Sequence, residues 1–143
     1  MSKMNLKRVF LGGLLAGVVI IVLGFASYFL YLGDAWKPTM ESLGYPMQET
    51  AWMYIFSIIG SFVVGILAIW LYAAIRPRFG GSPRTALLTG FIFWILSGLL
   101  PYLSFGSTGM FPADLLILDS LTYLVIMIIA TFLGAWIYQE PSP

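Results

Sequence analysis

Hydrophobic positions along this chain fall into four long, unbroken runs, at about 9–32, 51–75, 85–105 and 114–138, separated by short polar segments. A helix of about 20 residues crosses a hydrocarbon core about 30 Å thick, so each run is long enough to span a bilayer with some tilt. Barrel strands would alternate apolar with polar side chains, and none of the runs does so. The pattern predicts an all-α polytopic membrane protein. Residues 1–143 form one domain of four transmembrane helices in an up-down bundle.

The polar positions between the runs carry the orientation. Lys3, Lys7 and Arg8 precede the first run, and Arg76, Arg78 and Arg84 lie between the second and third. Only Lys37 falls on the other side, which instead collects Asp34, Glu41, Glu49 and Asp114. Basic residues favour the cytoplasmic face, so both termini are expected there. Aromatic residues mark the same boundaries: Tyr28, Tyr31, Trp36, Tyr45, Trp52 and Tyr102 at the outer one, Trp70, Tyr72, Trp136 and Tyr138 at the inner one. The six cytoplasmic cations are read as topogenic, with binding of anionic lipid headgroups as a second role.

Two connecting segments have distinct characters. Residues 33–50 contain Pro38, Gly44 and Pro46 and read as a loop, in which Trp36, Met40 and Leu43 share one helical face. That stretch is expected either to lie on the outer surface as a short helix or to anchor a loop there. Residues 76–84 read as a tight turn whose prolines stop one helix and start the next, with Ser82 at the N-cap and Pro83 at the first helical position.

Composition narrows the chemistry. The chain is 60% hydrophobic and 9% charged, with a mean hydropathy of +0.95, too few charges to cover a water-facing surface. It has no cysteine and no histidine, which removes disulfides, iron–sulfur clusters, ordinary haem and zinc ligation and a histidine general base. No phosphate-binding glycine loop and no extended basic patch is present, so neither a nucleotide nor a nucleic-acid partner is expected. No cofactor is predicted. Bound lipid is expected, and a pigment or quinone at an interface is left open.

Small residues recur four apart in every run: Gly13 with Gly17, Ser61 with Gly65, Ala86 with Gly90, and Ala130 with Gly134. Such pairs let helix backbones approach closely, and packing must drive association in lipid. They are read as internal seams of the bundle, with docking of a partner helix on the first span as the alternative. Asp119 is the one acid that would lie inside the bilayer, with Thr122 and Tyr123 on its helical face. With Ser97 and Tyr123 it forms a candidate polar site, opposed by the simpler reading of an interfacial or hydrogen-bonded structural acid. Pro101, near the outer end of the third span, is expected to kink that helix.

The succession Tyr31-Leu-Gly-Asp-Ala-Trp36, then Leu43-Gly44, Gly90-Phe-Ile-Phe-Trp94 and Asp119 at the start of the fourth span resembles a group of uncharacterised four-helix bacterial membrane proteins. The resemblance covers most of the chain. It implies a bacterial cytoplasmic-membrane location and no catalytic residue, and the chain departs from that group in carrying Tyr123 where a histidine is usual. With no paired carboxylates and no activated nucleophile, an enzyme is not expected. The leading expectation is a non-catalytic accessory subunit packed against other transmembrane subunits of a larger respiratory or photosynthetic complex. The alternative is a small oligomeric transporter or channel that uses Asp119.

Overall fold

The computed structural model describes residues 4–138, so Lys3 lies outside the described residues. It holds four helices long and apolar enough to cross a membrane: α1 Leu6–Ser42, α2 Ala51–Phe79, α3 Pro83–Ser107 and α4 Ala113–Ile137. Among the described residues there is no strand.

Local chemistry accounts for where the helices start and stop. Asn5 caps α1 by accepting the Arg8 backbone N–H at 3.2 Å, and Thr50 caps α2 by accepting that of Met53 at 3.4 Å. Ser82 holds the N-cap position of α3 with Pro83 behind it, but its hydroxyl does not cap. The Ser82 carbonyl instead takes the Thr85 and Ala86 N–H groups, and its hydroxyl lies 3.4 Å from that of Thr85. Pro77 does not stop α2 as its type suggests. A proline this close to a helix end frees only one carbonyl, and the helix runs on to Phe79. It ends where Gly80 turns to a φ of +82° and donates its N–H to the Arg76 carbonyl at 2.8 Å.

Helix α1 departs most from expectation. The polar stretch after Leu32 is helical over Gly33–Ser42, as one of its two readings expected, but it runs on from α1 instead of standing as a separate helix, with Pro38 inside it. The junction is a π turn at Tyr28–Leu32, closed by the Gly33 N–H on the Tyr28 carbonyl. One residue inserted into the helical ladder turns everything beyond it by about 100° around the axis. A second π turn, Ile95–Leu99, stands just before Pro101 in α3. The Ser97 hydroxyl there donates to the Phe93 carbonyl at 2.7 Å.

In the bundle α1 lies between α2 and α4, α3 packs on the other side of α4, and α2 and α3 touch more lightly. The tightest crossing is glycine on glycine. A Cβ on Gly12 would stand 2.5 Å from the Gly134 carbonyl oxygen, and one on Gly134 would stand 2.7 Å from that of Gly12. Along the α1–α2 seam, a Cβ on Gly65 would meet the Gly13 oxygen and the Gly17 nitrogen, each at 2.5 Å. Gly90 faces the α4 backbone at Met127 and Ile128, and Ala86 and Ala130 belong to the same buried cluster. The seam on α1 is therefore filled by α2 and α4 from within. Ser61 is the exception among the small-residue pairs: half-buried, it donates to the Ser57 carbonyl at 2.7 Å and lines a cavity instead of a seam.

The described ends of the chain meet at one end of the bundle. The Asn5 N–H reaches the Tyr138 hydroxyl at 3.4 Å, Arg8 Nη1 reaches the Ile137 carbonyl at 3.4 Å, and the Arg76 guanidinium lies 5.4 Å from the centre of the Tyr138 ring. This arginine end is opposed by an acidic end carrying Asp34, Glu41, Glu49 and Asp114. Between them the bundle exposes apolar side chains, most continuously on α2 through Trp52, Phe56, Ile59, Val63, Leu67 and Trp70. Such a surface suits lipid or apolar protein and not water.

Candidate functional site

The polar chemistry of the bundle gathers at its acidic end. Asp119 sits within the second turn of α4, and Thr122, Tyr123 and Ile126 follow it on the same face. These four line a cavity of about 310 Å³ between α1, α2 and α4. Its other walls are Phe25, Tyr28, Leu32 and Trp36 from α1 with Met53, Ser57 and Ser61 from α2, while Gly24 leaves one wall thin.

Asp119 is half-buried, and its Oδ2 accepts the indole N–H of Trp36 at 2.8 Å. The Tyr102 hydroxyl of α3 faces the same carboxylate. The Trp36 ring is wedged edge-on against Phe111 at 5.7 Å, so the donor is held by packing as well as by its hydrogen bond. The extension of α1 beyond its π turn thus has a partner for its one tryptophan. A hydrogen bond to a charged acceptor contributes about 1.5–3 kcal/mol, more than the neutral bonds around it. This contact locks the far end of α1 onto α4.

Shorter links flank it. Tyr31 and Thr122 share a hydrogen bond of 2.8 Å between hydroxyls, and Thr122 also donates to the Leu118 carbonyl. The Tyr123 hydroxyl pairs with Ser97 at 3.2 Å, its ring lying where a Cβ on Gly98 would come within 2.6 Å. The buried Trp94 donates its indole N–H to the Ser120 carbonyl at 2.8 Å. The acidic-end portions of α1, α3 and α4 are joined by these bonds, while α2 contributes only walls.

Of the candidate polar trio, Asp119 and Tyr123 line one cavity, whereas Ser97 reaches it only through Tyr123. Asp114 is exposed and takes no part. Sequence reading missed two members: Trp36 read as an interfacial anchor and Tyr102 as a belt residue, yet both converge on Asp119. The available signal was their depth, since all three fall near the same outer boundary. The site offers one carboxylate among neutral donors. Among the described residues no group of three or more His, Cys, Asp or Glu comes together.

At the arginine end, Arg78 and Arg84 are exposed, as are Lys7 and Arg8, but Arg76 is half-buried against the chain. No protein-family model, no curated protein and no solved structure matches this chain.

Proposed function

We propose that this protein is a non-catalytic accessory subunit of the bacterial cytoplasmic membrane, with both termini inside, that packs against other transmembrane subunits of a larger complex. The observation that carries this reading is that Asp119, the acid most suited to transport chemistry, is engaged by Trp36 as a clasp between α1 and α4. The hydroxyls of Tyr31 and Thr122, and those of Ser97 and Tyr123, are likewise paired with one another. With Asp119 and these hydroxyls committed to holding the bundle, the chain presents to its surroundings chiefly apolar and aromatic surface, widest on α2. The distribution of basic residues supports the orientation.

The test is gentle detergent extraction from native membranes, followed by native electrophoresis and mass spectrometry of the band that holds this chain. Co-migration with a large assembly supports the subunit reading, and recovery as a lone monomer overturns it. One observation favours a second reading, a small oligomeric transporter: the cavity beside Asp119 is lined by both polar and apolar groups. Unchanged flux in reconstituted Asp119→Asn would sink that mechanism.

A further inference from the structure

Arg76 poses a physical problem that its position on a turn does not solve. Its Nη1 is buried and has no hydrogen-bond partner, and its guanidinium lies over the Tyr138 ring at 5.4 Å. Gly81 leaves room for it there, because a Cβ at that position would run into the guanidinium. A half-buried guanidinium held over an aromatic ring keeps its charge at the wall of the bundle, where an anion can meet it. Among the described residues no carboxylate pairs with Arg76. Beside Arg76 opens a cavity of about 510 Å³, walled by Ser82 and Ala86 on α3 and by Phe132 and Trp136 on α4.

We propose that this cavity is a binding site for the phosphate group of an anionic phospholipid, with Arg76 as its anchor. A planar guanidinium suits bidentate contact to phosphate oxygens, and Arg76 and Ser82 both line this cavity. The lipid source is favoured over free phosphate by the rest of the wall. Phe132 and Trp136 carry the cavity onto the outward face of α4, where Trp136 is 79% exposed, so an acyl chain leaving the site runs along apolar surface. Arg78 and Arg84, exposed and outside the cavity, are not part of the site. This inference stands apart from the subunit reading, since it concerns the other end of the bundle.

The experiment is native mass spectrometry of the full-length protein with phosphatidylglycerol or phosphatidylcholine added to the detergent. One phosphatidylglycerol retained per chain, in preference to phosphatidylcholine, is the expected result. Arg76→Gln should weaken retention about tenfold, the loss of a charge-assisted phosphate contact, while Arg78→Gln and Arg84→Gln leave it within about twofold. Trp136→Ala removes an exposed side chain that the fold does not need and should weaken retention severalfold with an unchanged helical circular dichroism spectrum. Equal loss in all three arginine variants would overturn the site in favour of diffuse attraction. Displacement of the lipid by millimolar inorganic phosphate, or full retention in Trp136→Ala, would overturn the lipid as its occupant.

Discussion

At the scale of single residues, Asp119 and Trp36 show how a side chain that invites a transport mechanism can serve architecture. A carboxylate in an apolar helix face needs donors, and Trp36 supplies one at 2.8 Å from a position 83 residues earlier. Trp36→Phe keeps an aromatic ring beside Phe111 but removes the N–H and part of the ring, so it should lower stability by at least about 1.5–3 kcal/mol, read by unfolding in mild detergent. Asp119→Asn keeps an oxygen that accepts the same N–H and should cost less. The opposite ranking would show that the carboxylate answers to something other than Trp36. That Asp119 is special was legible, because an acid inside an apolar run stands out by itself. Its partner was not, because pairing across that separation is decided by how α1 is rotated, and the π turn at Tyr28–Leu32 leaves no compositional mark.

At the scale of helices, glycines of identical sequence character divide into those that carry a seam and those that face outward. Gly65 and Gly60 are on the same helix five residues apart, yet a Cβ on Gly65 would press into the α1 backbone at 2.5 Å and one on Gly60 would meet nothing within 4 Å. Backbone cannot swing aside as a side chain does, so Gly65→Ala must push α1 and α2 apart. The expected loss is about 1–3 kcal/mol. Gly60→Ala should be neutral or stabilising by up to about 1 kcal/mol, through reduced backbone freedom in the unfolded chain. Similar losses from both would mean that the seam does not run where these contacts place it. Spacing in the sequence identified candidate seams without saying which helix fills each one, since Gly12 meeting Gly134 depends on the crossing of α1 with α4. The four spans were legible because unbroken hydropathy is a property of each run alone. The length of α1 was not. Its polar continuation to Ser42 reads in isolation as either a short helix or a loop, and the contacts of Trp36 with Asp119 and Phe111 hold it onto α4 as part of α1.

At the scale of the whole molecule, the separation of charge between the two ends becomes a statement about orientation that can be tested with the chain's own composition. With no native cysteine, any introduced thiol is the only one present. Glu41 and Arg78 are both exposed, at opposite ends of the bundle, so Glu41→Cys and Arg78→Cys disturb little packing. A membrane-impermeant maleimide should label Glu41→Cys in intact cells and Arg78→Cys only after the membrane is opened, if basic residues hold the arginine end inside. Labelling with the reverse accessibility would refute the proposed orientation. The outcome also bears on the Arg76 cavity. An inward arginine end puts that cavity against the leaflet richest in anionic lipid, where the negative surface potential raises the local concentration of the very headgroups that the Arg76 guanidinium would bind.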